Sequence, residues 1–225
     1  MKPKAVFFDL DGTLLNSAPD FVWVINLMLK RRHQPSITLD TIKQQVSDGA
    51  SVMLKAAFES VVDSVELEEL KLEFLQEYSQ QLNTKANLYP GVDKLLRYLD
   101  DHNILWGVAT NKPSKYTLPT LQHFALTERC ATVICPEHVN QTKPDPEALY
   151  LCASQLSIAT EYCWYVGDHK RDITAGNAAN MTTVACQYGY LKQTDNSEKW
   201  GANYLIDTPS ALISLLENTT TENGN

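Results

Sequence analysis

An alternation of two periods most limits how this chain can fold. Short β-rich runs, "AVFFDL" from Ala5, "ILWGVAT" from Ile104, "ATVIC" from Ala131, "YCWYVGD" from Tyr162 and "TTVACQ" from Thr182, are separated by helix-length stretches, among them Val92–Asp101, Pro146–Leu156 and Ile173–Ala179. The runs are nearly continuous in apolar residues, as expected of strands buried on both faces. The expectation is an α/β fold: a doubly wound parallel sheet with helices on both faces. Right-handed crossovers then place every strand's C-terminal end on one edge.

One stretch departs from the alternation. Between Ser17 and Ala86 no strand is evident, only helical periodicity in "DFVWVINLMLKRR", "SVMLKAAFESVV" and "LEELKLEFLQEYSQQL". This reads as an all-helical domain inserted after the first strand, with Pro90 and Gly91 of "LYPGV" marking the return to the sheet. The expected organisation is therefore 1–16 and 87–217 for the sheet domain and 17–86 for the helical one. The polar segment "NTTTENGN", 218–225, reads as a disordered tail.

Four of the strand-like runs end in polar groups, and the ends of a doubly wound sheet converge on the crevice where ligands bind. The first end, "DLDGT", sets Asp9 and Asp11 two residues apart at a strand exit. Gly12 then permits a turn that a Cβ opposes, and Thr13 adds a hydroxyl. The second, "VATNK", offers Thr110 and Asn111, with Pro113 suited to the first turn of the next helix. In the third, "TKPDPE", Pro144 biases Lys143 towards extended backbone, placing its amine at the crevice mouth. Asp145 and Pro146 look like an N-cap and an N1 residue. The fourth, "VGDHKRD", brings Asp168 and Asp172.

Taken singly, each has an ordinary reading: Asn111 or Asp145 as a turn or cap residue, Lys112 or Lys143 as a solvated charge, Asp172 as a helix-start acid. The combination is harder to explain that way. Several carboxylates in one crevice repel unless a hard divalent cation sits among them, and oxygen-only ligands point to Mg²⁺. A cation beside Lys, Thr and Asn donors makes a phosphate site.

Charge limits the partners. The chain carries a formal −8 with its acids scattered and no Lys/Arg block, which argues against nucleic acid or an anionic membrane. The apolar N-terminal run is interrupted by Asp9 and Asp11 well short of a spanning helix, and no small-residue cleavage site follows, so a cytosolic (cytoplasmic) protein is expected. The five cysteines are odd in number and form no CxxC pair; buried, reduced thiols are expected.

"DLDGT", the Thr of "ATN", the Lys of "TKPDP" and "GDHKRD", in that order, resemble the haloacid dehalogenase superfamily of phosphohydrolases. The helical insertion resembles that superfamily's cap domain. By this resemblance Asp9 is the nucleophile that forms an aspartyl-phosphate, and Asp11 the acid for the leaving oxygen and then the base for water. Asp9, the Asp11 backbone carbonyl and Asp168 hold Mg²⁺, and Asp172 orients neighbouring groups. Thr110, Asn111 and Lys143 bind the phosphoryl oxygens.

Substrate choice in such enzymes rests with the cap, where Ser47, Asp48, Gly49 and Ala50 of "VSDGASVML" are candidates to meet the organic part of the ester. Ser47 or Asp48 as a plain helix N-cap is the alternative. Over its whole length the chain is similar to phosphoglycolate phosphatases. It is more similar to N-acetylmuramic acid 6-phosphate phosphatases of peptidoglycan recycling, through "ILWGVATNKP", "VICPEHVNQTKPDPEAL", "YGY" from Tyr188 and "DNSEKWGANYLID". The expected partner is thus a small phosphorylated metabolite. Tyr190 and Trp200 read as packing residues. A haloalkanoate dehalogenase has no need of Asp11; a sugar phosphomutase shares every catalytic residue; a non-enzymatic phosphate-binding protein is expected to lack one of them.

Overall fold

The computed structural model describes residues 2–58, 64–192 and 194–221. Among these described residues eight strands and nine α-helices follow one another: β1 (Ala5–Phe8), β2 (Leu15–Asn16), α1 (Ala18–Arg31), α2 (Leu39–Lys43), α3 (Ala50–Ala57), α4 (Ser64–Gln81), β3 (Asn87–Leu88), α5 (Val92–Asp101), β4 (Leu105–Ala109), α6 (Ser114–His123), β5 (Thr132–Ile134), α7 (Glu147–Gln155), β6 (Cys163–Gly167), α8 (Lys170–Ala178), β7 (Thr182–Cys186), β8 (Tyr204–Ile206) and α9 (Pro209–Thr221).

Six strands form one parallel sheet in the order β5-β4-β1-β6-β7-β8, and β2 and β3 make a separate two-stranded ladder. The winding reverses at β1, which lies between β4 and β6, and a doubly wound sheet binds its ligand at that reversal. Every residue of β1 and β6 is buried, which accounts for their unbroken apolar character. The core on one face joins Ala5, Phe7 and Tyr165 to Leu149 and Cys152 of α7 and Ala175 of α8. Helix α5 packs on β4 and on α9, burying Val92, Leu95, Leu96 and Leu99, an i, i+3, i+4, i+7 stripe.

The chain separates into two compact units. One comprises Met1–Leu15, Leu88–Leu191 and Asp195–Asn225, the other Asn16–Asn87 and Lys192–Thr194. The expected junctions at 16/17 and 86/87 lie one residue from these; the attachment of Lys192–Thr194 to the helical unit had no mark in the sequence. Within that unit α1 packs on α2 and α4, and α3 on α4, with Phe21, Phe74 and Tyr78 clustered between α1 and α4. Asp20 of α1, fully buried, accepts the backbone N–H groups of Asn83, Lys85 and Ala86 at 2.8, 2.6 and 3.0 Å.

Several local expectations need correction. Helix α9 continues to Thr221, four residues into the stretch read as a disordered tail, and 222–225 lie outside the described residues. So does 59–63, the end of one helical stretch in the insertion. Pro113 is the N-cap of α6 and Pro146 that of α7, each one residue earlier in the helix than expected. Asp145 is therefore not the N-cap but the residue before it, with its carboxylate accepting the Glu147 N–H at 2.9 Å. Neither Ser47 nor Asp48 caps α3. Gly49, at φ +90°, holds that position, and the two side chains sit on a preceding 3₁₀ turn, Val46–Asp48.

Candidate active site

The exits of β1, β4 and β6 carry the acids and cations foreseen for a phosphate site. Past β1, the Asp9 N–H still pairs with the Val166 carbonyl of β6 at 2.9 Å, extending the ladder by one residue. Leu10 N–H and Lys143 Nζ both reach Asp9 Oδ1, at 2.7 and 3.0 Å. Burial opposes ionisation of Asp9, but Lys143, Arg171 and the Leu10 N–H together hold its carboxyl below the ordinary carboxylate range.

Lys143 was expected at the crevice mouth and instead lies on its floor, with a side chain 0% exposed. Its ammonium lies 2.8 Å from Asp172 Oδ1, 2.7 Å from the Tyr165 hydroxyl and 3.0 Å from the Ala109 carbonyl. Its backbone is gripped by Asn111: the Asn111 Nδ2 donates to the Lys143 carbonyl at 3.1 Å, and Asn111 Oδ1 accepts the Lys143 N–H at 3.2 Å. The Asn111 amide is therefore engaged at both ends in placing Lys143. The Lys143–Pro144 peptide is cis.

Asp168 directly follows β6 and is boxed in by backbone. The Tyr190 N–H donates to its Oδ2 at 2.8 Å, and the Thr13 hydroxyl to its Oδ1 at 3.4 Å. Gly12, at φ +87°, approaches so closely that a Cβ there falls 2.0 Å from Asp168 Oδ2; one on Gly189 meets the Asp168 side chain and the Gly12 carbonyl at 2.3 and 2.5 Å. Burial, then the nearby Asp172 and Asp9, push the Asp168 carboxyl well above its usual range. Asp172 uses both oxygens, one towards Lys143 and the other accepting the His169 N–H at 3.1 Å. One oxygen from each of Asp9, Asp168 and Asp172 lies within 4.8 Å of the others. This all-oxygen, mutually repelling set fits a hard divalent cation.

Asp11 is not part of that cluster. Its carboxylate faces Lys112, whose Nζ lies 3.0 and 3.1 Å from the two oxygens. Lys112, read from sequence as a solvated charge, has a side chain only 5% exposed. Thr110 is buried, its hydroxyl accepting the Lys112 N–H. In the helical unit, Ser47 is buried, and Asp48 is exposed and pairs with Lys192 at 2.7 Å.

Besides Lys112, four groups at this edge were missed or discounted. Tyr165 read only as an apolar strand residue, yet its hydroxyl also donates to the Ala109 carbonyl at 2.8 Å. Arg171 sits among the three carboxylates, which raise its pKa against the effect of burial. Tyr190 packs as expected, but its N–H meets Asp168. The Gly189 of "YGY" was visible; its need to lie against Asp168 was not.

Comparisons with known proteins give one family. The model of the haloacid dehalogenase-like hydrolases matches residues 6–186. The N-acetylmuramic acid 6-phosphate phosphatase of Pseudomonas aeruginosa is 40% identical over 217 residues, 96% of each chain. The phosphoglycolate phosphatase of Xanthomonas campestris pv. campestris is 40% identical over 210 residues, 93% of this chain and 95% of that one. Among solved structures, a predicted phosphoglycolate phosphatase from Haemophilus somnus superimposes with a TM-score of 0.84 at 26% identity, covering 96% of this chain and 98% of its own.

Proposed function

The chain belongs to the haloacid dehalogenase-like hydrolase family, and from that membership we propose that it is a Mg²⁺-dependent phosphatase that hydrolyses a phosphomonoester through a phosphorylated Asp9. The observation that carries this reading is the buried grouping of Asp9, Asp168 and Asp172 around Lys143. Burying that much charge costs several kcal/mol per ion before pairing, and such a cluster is the usual mark of a reacting site.

The roles follow from the contacts. Leu10 and Lys143 both anchor Asp9 Oδ1, which leaves Oδ2 as the oxygen that attacks phosphorus. As the bond to the ester oxygen breaks, Asp11 gives that oxygen its proton. Asp11 then takes a proton from the water that attacks the aspartyl-phosphate, releasing inorganic phosphate and restoring Asp9. Lys143, Thr110 and Asn111 hold the phosphoryl oxygens, with the Asn111 amide also setting the Lys143 backbone. Asp9, Asp168 and the Asp11 carbonyl would hold Mg²⁺, with Asp172, already committed to Lys143 and His169, orienting them. When bound, the ion neutralises charge on the transferring phosphoryl group.

For the substrate we favour N-acetylmuramic acid 6-phosphate, supported by the end-to-end likeness to the Pseudomonas protein. Phosphoglycolate is the second reading, supported by the equal identity of the Xanthomonas protein. Ser47, Asp48, Gly49 and Ala50 are the positions proposed to choose between them. All five cysteines are free thiols, in keeping with a reducing compartment such as the cytosol. No helix among the described residues is long and apolar enough to cross a membrane.

The test is phosphate release from N-acetylmuramic acid 6-phosphate and 2-phosphoglycolate in parallel, with Mg²⁺ and with Asp9→Asn as control. The expected result is preference for the sugar phosphate and a loss of about 10⁴-fold or more in the variant. Near-normal turnover by Asp9→Asn removes the mechanism, and preference for phosphoglycolate selects the second substrate.

A further inference from the structure

Lys112 plays no part in the chemistry assigned above, and its placement is costly. An ammonium with a side chain 5% exposed has given up nearly all of its water, a loss only a close counter-charge can offset. The counter-charge is Asp11, gripped across both oxygens at 3.0 and 3.1 Å. Lys112 is itself fixed at both backbone groups. Its N–H donates to the Thr110 hydroxyl at 3.2 Å, and its carbonyl accepts the Thr117 hydroxyl at 3.0 Å.

Asp11 has the opposite character. Its side chain is 21% exposed, on a turn that closes from Gly12 N–H to the Leu15 carbonyl. The backbone there is defined, but two side-chain torsions decide where the carboxyl points. A proton donor must lie within hydrogen-bond reach of the leaving oxygen, and an error of about 1 Å can cost about 100-fold.

We propose that Lys112 is the positioning residue for Asp11, a rigidly mounted cation that holds the acid–base carboxyl facing the leaving oxygen. The inference rests on the phosphatase reading and adds a residue to it. Lys112 thereby separates from Lys143, which lies 3.0 Å from Asp9 and serves the nucleophile. The two lysines divide the two catalytic aspartates between them, one each.

This division predicts a dependence on leaving group. A sugar or glycolate oxygen leaves poorly unless it receives a proton, whereas p-nitrophenolate leaves without one. The experiment compares kcat/KM, which reports events up to phosphoryl transfer, for p-nitrophenyl phosphate and for whichever natural ester the chain hydrolyses faster. It uses the unmodified chain, Lys112→Met and Lys112→Gln, with circular dichroism to establish folding. The ratio of natural to aryl ester is expected to fall by about 100-fold in either folded variant, the lower end of what general acid catalysis contributes. Adding Lys112→Met to Asp11→Asn is expected to change the ratio little further, because both substitutions remove the same function.

An equal loss on both esters, or a loss confined to KM, makes Lys112 a structural or phosphate-binding cation and overturns the inference while leaving the phosphatase reading intact. Absence of phosphate release from any ester by the unmodified chain overturns both.

Discussion

Two buried carboxylates, one in each unit, show what separates a structural acid from a reactive one. Asp20, near the start of α1, is fully buried and receives three backbone N–H groups, from Asn83, Lys85 and Ala86. Asp168, directly after β6, is just as buried but receives one short N–H bond and a distant hydroxyl, with Asp9 and Asp172 close by. The first has its charge met by the fold. The second is held short of donors beside like charges, an arrangement the fold alone does not offset. Burial alone does not mark a site; burial without enough donors does.

The comparison is broken most sharply at Asp168. Asp168→Asn removes one of three repelling carboxylates, so its melting temperature in a chelator is expected to rise by about 2–4 °C, roughly 1 kcal/mol for a chain of this size. Its phosphatase activity is expected to fall by about 10³-fold, and Mg²⁺ is expected to raise the melting temperature of the unmodified protein but not that of the variant. A variant less stable in chelator than its parent places Asp168 with Asp20 as a structural acid.

Asp20→Ala is the opposite case. It leaves three N–H groups unsatisfied and is expected to cost about 3 kcal/mol, read from the urea midpoint. A loss below about 1 kcal/mol means that water replaces the carboxylate and that the N–H groups were never its dependents.

The smallest effect belongs to an exposed pair in the helical unit. The Arg32 guanidinium, then Arg31, hold the Glu73 carboxyl below its ordinary range against a modest burial effect. A depressed folded pKa contributes stability that is present above the unfolded value and lost as pH falls through the folded one. Both partners are about a third exposed, so Glu73→Gln is expected to cost under about 1 kcal/mol at neutral pH and nothing below the acid transition. Denaturant titrations of the pair of proteins at two pH values decide it.

The same contrast explains what could be read in advance. Asp9 and Asp168 could be placed together in advance because chain direction fixes where a parallel strand ends, and Asp172 follows in the first turn of α8; Lys143 lies in the loop between β5 and α7, and its depth was not foreseen. The helical insertion was legible from its period. Lys112 was not, because the acid that buries it lies 101 positions away and nothing in "TNKP" announces it. Helix α6 was foreseen only at its start, through Pro113, and Pro119 in its interior masks the rest of its pattern. Strand β8 has only three residues, one of them buried, and α9 follows it into a polar tail that resembles disorder. The Asn111 amide was assigned to phosphate by its position, yet only the folded chain shows it gripping the Lys143 backbone.

The strand pairing also has a consequence for how the protein is made. Ala5 of β1 pairs with Leu105 on one side and with Cys163 on the other. The segment that ends at Asp9 thus has no sheet partner until some hundred residues have followed it and no second until β6 is complete. Such distant pairing is slow, whereas the helices of the insertion find their neighbours nearby. The growing chain therefore cannot assemble this edge of the sheet before β6 has been made, and until then it depends on keeping an apolar strand from finding the wrong partner.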